Sequence, residues 1–365
     1  HKKPSGVWIM AYTTIDDPSA YFQTTLYTGN GSTTHAITNG GNSDLQPDMV
    51  WIKDRGAANW HSITDVARGH SKAIFPNDAA AEDTSNAYVK AFNSDGFTLG
   101  SAGSDVNANS NTYVSWQWKA GTSFTNDASG TGIGSIDSAG SFNNDAGFSI
   151  VTYTGTGASA TLKHGLSTAP KIILIKNRSR SSIEWRSYFS VVGNTKYMVL
   201  NETYAVSDAD SNFMDDTSPT SSVFSLGSSA TPNYDGDNYV AYCFAEKKGY
   251  SKFGSYLGNG SNDGTFIYLG FKPAFFMLKG VFGEPWLMYD NKRLGYNVRN
   301  DQLIANTAGA EDGSTASWYI DILSNGVKLR GNDTAINGTN SAGYIYMAFA
   351  ENPFVTSTGV PTTAR

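Results

Sequence analysis

The sequence predicts an all-β chain built as three tandem repeats of a β-sandwich-like domain, and three observations predict it. A set of landmark residues recurs three times at nearly constant spacing. The recurring blocks are short apolar or alternating runs bounded by Gly, Asn, Asp, Ser and Pro, the residues of turns. No long window carries the 3.6-residue apolar period of a helix.

The first repeat reads Tyr27-Thr-Gly-Asn-Gly31, Pro47-Asp-Met-Val-Trp-Ile-Lys53, Asn59-Trp60, Ile74-Phe-Pro-Asn77, Asp95-Gly-Phe-Thr-Leu-Gly100 and Asn111-Thr-Tyr-Val-Ser-Trp-Gln-Trp118. The second has Tyr153-Thr-Gly-Thr-Gly157, Pro170-Lys-Ile-Ile-Leu-Ile-Lys176, Glu184-Trp185, Met198-Val-Leu-Asn201, Val223-Phe-Ser-Leu-Gly227 and Asn238-Tyr-Val-Ala-Tyr-Cys-Phe244. The third has Tyr256-Leu-Gly-Asn-Gly260, Pro273-Ala-Phe-Phe-Met-Leu-Lys279, Pro285-Trp286, Leu303-Ile-Ala-Asn306, Asn325-Gly-Val-Lys-Leu-Arg330 and Gly343-Tyr-Ile-Tyr-Met-Ala-Phe349. From Lys53 to Lys176 is 123 residues and from Lys176 to Lys279 is 103, and the Trp60/Trp185/Trp286 and Tyr113/Tyr239/Tyr344 series keep step within a few residues. The excess of the first period sits in the Gly/Ser/Asn stretch that starts at Ala120. The expected division is therefore an N-terminal extension over 1–25, repeats over 26–119, 147–248 and 249–354, a Gly/Ser/Asn-rich linker over 120–146, and a C-terminal tail over 355–365.

Each element has a physical reason. The Pro-to-Lys blocks are apolar runs closed by a charge, as in strands buried on both faces, with proline opening the strand rather than interrupting it. Asp95-Gly96 and Asn325-Gly326 precede apolar strands and read as hairpin turns. The closing Tyr-rich blocks alternate aromatic and small residues, giving a strand with one aromatic face. The stretches 77–92 and 200–213 are the places where a short helix fits. Packed side by side, the copies make a pseudo-threefold body; strung out, they make a stalk. The short link Glu246-Lys-Lys-Gly249 favours contact between repeats two and three, and repeats one and two read as more loosely joined.

Composition narrows the function. The 365 residues carry a net charge of −6, only 16% are charged, and 13% are aromatic. Ordinary globular chains are about 25% charged, so the polar surface here is largely Ser, Thr, Asn and Gly. The aromatics argue against disorder, the acidic balance and lack of a Lys/Arg stripe argue against nucleic-acid binding, and no run of about 18 apolar residues predicts membrane insertion. The lone Cys243, inside an apolar run, reads as core packing rather than a nucleophile. The start at His1-Lys-Lys-Pro4, with no initiator Met or signal sequence, reads as part of something longer or processed.

No catalytic, cofactor or metal constellation emerges. His1, His35, His61, His70 and His164 have no metal-ligand spacing, although His35 and His164 fall in comparable places after the Tyr-Thr-Gly element. Trp60-His61-Ser62 with Asp65 is only a local adjacency, and no Gly-x-Ser-x-Gly elbow occurs. Asp208/Asp210, Asp215/Asp216 and Asp235/Asp237 match no calcium-loop pattern and read as turns; a glycosidase pair among them is the enzymatic alternative. Gly29-Asn-Gly31 and Thr131-Gly-Ile-Gly134 lack the nucleotide-loop order. The sequons at Asn30, Asn177, Asn201, Asn259, Asn332 and Asn337 matter only in a glycosylating compartment. Trp60, Trp185 and Trp286 read either as one core pocket filled three times or as three sugar-stacking faces. The ligand-binding residues are thus unknown from the sequence.

The chain resembles a repeat-bearing family of virion proteins from tailed bacteriophages, many of them marine. The likeness runs from Leu26 to Phe354 and is carried by Tyr27-Thr-Gly-Asn-Gly-Ser32, Pro47-Asp-Met-Val-Trp-Ile-Lys-Asp-Arg55, Phe92-Asn-Ser-Asp-Gly-Phe-Thr-Leu-Gly100, Tyr239-Val-Ala-Tyr-Cys-Phe-Ala-Glu246, Tyr250-Ser-Lys-Phe-Gly-Ser255, Tyr289-Asp-Asn-Lys-Arg293 and Tyr346-Met-Ala-Phe-Ala-Glu-Asn-Pro-Phe354. In relatives a segment like that ending at Pro4 follows an upstream domain often resembling the SPRY sandwich. The resemblance implies a structural, non-enzymatic role in the virion, as a tail-fibre or receptor-binding component that forms a homo-oligomer, expected to be a trimer. Its implied partners are copies of itself, other virion proteins and host-surface glycan. A capsid decoration protein and a glycan-degrading tail depolymerase are the alternatives. No cofactor and no catalytic residue carry over.

Overall fold

Three antiparallel sheets of the same inner strand order build the molecule. The computed structural model describes residues 12–84, 88–100, 103–208, 212–341 and 343–362. The first sheet orders Phe22–Thr28, Thr112–Trp118, Met49–Asp54 and Ser62–Asp65. The second contains Phe148–Thr154, Asn238–Phe244, Ile172–Asn177 and Arg186–Phe189 in the same sequence of neighbours, and the third contains Ser251–Tyr256, Tyr344–Pro353, Phe271–Gly280 and Leu287–Asp290. The registers coincide: Tyr27 faces Tyr113, Tyr153 faces Tyr239, and Tyr256 faces Tyr344. The hairpins expected at Asp95-Gly96 and Asn325-Gly326 close small outer sheets, with Asn93 opposite Gly96 and Leu323 opposite Gly326.

The Pro-to-Lys strands are buried along their whole length, and the first two lie between two cores. In Met49–Asp54, Met49 and Trp51 face a core shared by all three sheets, whereas Val50 and Ile52 face a local core with Ile37, Phe97 and Leu99 of the outer sheet. Ile172 and Leu174 alternate with Ile173 and Ile175 in the same way. At the centre, Trp118, Phe244 and Phe349 occupy the same position in the last strand of each sheet, with ring centroids 6.4, 5.6 and 5.9 Å apart. One aromatic from each sheet therefore meets the other two.

Three joints, each made the same way, close the sheets into a ring. A ring nitrogen at the head of the third strand donates to a backbone carbonyl of the preceding sheet's territory: Trp185 Nε1 to Phe75 O at 2.8 Å, Trp286 Nε1 to Val199 O at 2.9 Å, and His61 Nε2 to Ile304 O at 3.2 Å. A backbone bond accompanies each: Glu82 N to Arg178 O, Val206 N to Val281 O, and Glu311 N to Arg55 O. Two joints add ion pairs. Arg178 and Arg55 hold Glu82 and Glu311 with two bonds each, all at 2.9 Å. Behind them the buried pairs Asp65–Arg68 and Asp290–Arg293, both 2.6 Å, receive Tyr242 Oη–H and Trp116 Nε1–H from the neighbouring sheet. At the remaining joint the corresponding positions are Phe189, Val192, Met347, Val206 and Val281, so the whole polar set is replaced by apolar side chains.

Several sequence expectations are corrected. The stretch 120–146 is no linker: Thr122–Asn126 and Ser138–Asn143 are strands that widen the second sheet. Its Gly/Ser/Asn composition reflects close strand approach, since a Cβ on Gly140 would lie 1.8 Å from Ile150 O. The first sheet begins at Phe22, inside the expected extension. Among the described residues of 77–92 no helix forms, and in 200–213 only Asn212 is helical, in a 3-10 turn; Glu82 and Val206 instead carry backbone contacts across the joints. Repeats one and two are joined as closely as two and three, because the same joint recurs. The tail folds back, with Ser357 N donating to Asp16 Oδ1 at 2.6 Å and Thr362 N to Phe354 O at 3.0 Å.

Candidate functional site

The Tyr-x-Gly-x-Gly blocks assemble a structural cap. Tyr27, Tyr153 and Tyr256 stack on Tyr113, Tyr239 and Tyr344 at 5.1, 5.0 and 4.8 Å, nearly parallel. Their hydroxyls donate to Val106 O, Pro232 O and Ile336 O. Beside each pair a fully buried asparagine accepts through Oδ1 from the loop: Asn107 from Asn30 N, Asn233 from Thr156 N, and Asn337 from Asn259 N. Gly29, Gly155 and Gly258 are required because a Cβ there would lie 2.1–2.3 Å from a carbonyl oxygen beside the asparagine. In the sequence Asn337 stood out only as a sequon and Asn107 and Asn233 not at all, although the three keep the spacing of the tyrosines to within one residue. Asn233→Ala is expected to cost about 1–3 kcal/mol in urea unfolding, since it orphans buried loop groups.

The tryptophans separate. Trp185 and Trp286 are 0% and 1% exposed and belong to the core, but Trp60 is 39% exposed and packs on Phe75. The residue equivalent to Trp185 and Trp286 is His61. Its backbone N donates to Asn77 Oδ1, as Trp185 N does to Asn201 and Trp286 N to Asn306. The one-residue slip arose because His61, not Trp60, starts the strand facing inward. Three stacking faces for sugar are therefore not formed by these residues.

His61 and Ser62 build no triad. Trp51 Nε1 donates to His61 Nδ1 at 3.0 Å, which fixes the neutral tautomer donating through Nε2. Asp65 is engaged by Arg68 and Tyr242. His35 and His164 are not equivalent: His35 lies in a strand opposite Leu99, and His164 follows the strand whose Ala160 lies opposite Leu226. His35 bonds Asn107, and His164 bonds Thr220 O. Burial pushes the Cys243 thiol up to about 12, which disfavours the thiolate.

The acidic pairs also find ordinary partners. Asp237 accepts from Asn177 and Arg180, Asp215 accepts from Ser159, and Asp235 is exposed in a turn. Asp208 lies in a strand opposite Lys196, and Asp210 and His1 lie outside the described residues. Among the described residues no three His, Cys, Asp or Glu side chains converge as metal ligands, and no helix is long and apolar enough to cross a membrane. Of the sequons, Asn177, Asn201 and Asn337 are buried, whereas Asn30, Asn259 and Asn332 are exposed.

Lys53, Lys176 and Lys279 are the notable buried bases. Burial lowers them to about 8, 8 and 7, and each ammonium donates to backbone carbonyls: Lys53 to Asp54 O and Ala57 O, Lys176 to Ala79 O and Ile183 O, and Lys279 to Glu284 O. A lysine so tuned in an open cleft is a catalytic candidate, but these are sealed, and the threefold recurrence marks a structural part. Because the unfolded chain holds these protons up to about pH 10.4, stability rises as pH climbs from about 7 towards 9.5. Below about pH 6.5 it falls, since burial depresses His61 strongly and His164 to about 4 and the unfolded chain protonates first. The melting temperature should accordingly climb from about pH 5 to about pH 9.5. Lys53→Met/Lys176→Met/Lys279→Met should flatten the alkaline limb; an unchanged limb refutes the assignment.

Fold and nominated residues together define an all-β ring of three sheets whose recurring polar residues serve assembly of the ring. The chain matches the family described as Domain of unknown function (DUF7483) over residues 17–353, and it belongs to that family. Comparison with curated proteins gave no match.

Proposed function

We propose that the chain is a structural component of a tailed-bacteriophage virion, a tail-fibre or receptor-binding part that mediates host attachment. The observation that supports this reading best is closure of the ring within one polypeptide. Glu311 of the third sheet reaches Arg55 of the first, so one chain presents a threefold frame of the kind three subunits ordinarily supply. Such a frame suits the axis of a trimeric fibre. The joints are all used internally, so self-association into a homotrimer, the expected state, must use another surface. The other partners proposed are virion proteins and host-surface glycan. The sequence resemblance to phage virion proteins points the same way, and the reading calls on no catalytic step.

Immunogold labelling of intact particles with an antibody to this chain tests it. Label on the tail supports the proposal. Label on the head selects a capsid decoration protein, which the same threefold frame would suit. Particles without label overturn it, and release of reducing ends from host polysaccharide would point to a depolymerase instead.

A further inference from the structure

A groove where the second and third sheets meet carries cations and aromatic rings side by side. It encloses about 480 Å³ and is flanked by Tyr12 and Tyr268, with Lys171, Lys248, Lys252 and Glu246 on its walls. That volume lies in the range of small-molecule sites, about 300–1,000 Å³. Tyr12 is pinned by its hydroxyl, which donates to Gly270 O at 2.7 Å. A Cβ on Gly270 would sit 2.4 Å from that hydroxyl, and Gly270 has φ +79°, so glycine at this turn admits the ring. Lys248 Nζ lies 4.8 Å from the Tyr12 ring centre and Lys252 Nζ 5.1 Å from that of Tyr268. Lys252 also donates to Tyr268 O at 2.7 Å, which ties it to that edge. Tyr268 is 49% exposed although no local core demands an aromatic there.

Three lysines against one carboxylate make this wall positive on a chain of net charge −6. Glu246 pairs with Lys171 at 2.7 Å and leaves an acceptor edge for hydroxyl groups. Aromatic faces, cations and one hydroxyl acceptor together suit a ring that is apolar on its C–H face, hydroxylated at its rim and anionic. The groove has no arginine fork, the usual instrument for gripping phosphate in two places. In the strand register of the other two repeats Thr38 and Lys163 stand where Tyr268 stands, so neither repeat supplies an aromatic there.

The geometry points to a binding site for an acidic saccharide of the hexuronate class, laid against the exposed Tyr268 beside the Tyr12 hydroxyl, with its carboxylate on Lys248 and Lys252. This deepens the host-attachment reading and rests on it only for where the saccharide comes from. Titration of the whole chain with an oligogalacturonate, followed by calorimetry, tests it beside a neutral maltooligosaccharide and inorganic phosphate. Binding of the oligogalacturonate, weaker by about tenfold or more in Tyr268→Ala and in Lys252→Ala and unchanged in Lys90→Ala, supports the site. No binding, equal binding of phosphate or of anionic lipid vesicles, or indifference to Tyr268→Ala overturns it. Tyr268 and Lys252 are at least partly exposed, and an unchanged melting temperature shows that the variants fold. Unlabelled virions together with retained oligogalacturonate binding would refute the attachment role alone; labelled tails without binding would refute the groove alone.

Discussion

Trp286→Ala is expected to lower unfolding free energy by about 3–5 kcal/mol, the usual cost of emptying a buried aromatic site. The side chain is 1% exposed, packs against Phe189 of the neighbouring sheet at 5.6 Å, and donates to Val199 O. The alanine thus opens a cavity and leaves a buried carbonyl of another sheet without its donor. Trp185→Ala should behave alike through Phe75 O. Trp60→Ala, in contrast, removes a partly exposed ring that closes no joint, and should cost under about 1 kcal/mol. Urea unfolding of the three variants decides the matter. Equal losses at all three positions would contradict the ring in which His61, and not Trp60, fills the third slot.

The second large effect concerns the buried charge at the joint between the third and first sheets. Asp290→Ala should cost about 3–5 kcal/mol, because it leaves the fully buried Arg293 guanidinium without its closest anion. Arg293 would keep Glu311 at 3.3 Å and Met288 O at 2.9 Å, and Trp116 Nε1 would lose its acceptor. The molecule itself supplies the compensating design. At the apolar joint the same positions hold Phe189, Val192, Met347, Val206 and Val281. Transplanting that set, as Asp290→Phe, Arg293→Val, Trp116→Met, Glu311→Val and Arg55→Val, should recover most of the stability lost by Asp290→Ala, because well-packed apolar groups commonly replace a buried ion pair at little cost. Thermal unfolding of the single and fivefold variants provides the comparison. A fivefold variant less stable than the single one would show that the two kinds of joint are not interchangeable.

Much of this architecture was legible in the residues. The Pro-to-Lys strands announced burial on both faces because an unbroken run of four to five apolar residues has no face left for water. Asp95-Gly96 and Asn325-Gly326 announced hairpins because a short connection needs backbone that glycine permits. The tyrosines of the closing strands kept register because they stack on partners from the opening strands. Where the reading failed, the residues were ambiguous for a physical reason. Thr122–Asn126 and Ser138–Asn143 are small and polar because they pair closely at the margin of a sheet, and in sequence that composition is indistinguishable from a linker. Trp60 looked equivalent to Trp185 and Trp286 because residue type was matched and strand phase was not. Tyr12 and Tyr268, which are 256 positions apart, gave no shared signal at all.

By itself the sequence determined that this chain is all-β, because strand period and turn chemistry are local properties of the backbone. Only the tertiary structure decided that the sheets close head to tail into a ring, that Glu82 meets Arg178 and Glu311 meets Arg55, and that a cationic, tyrosine-flanked groove opens where the second and third sheets meet. Those facts depend on which distant surfaces exclude water together, and no stretch of chain carries that information on its own.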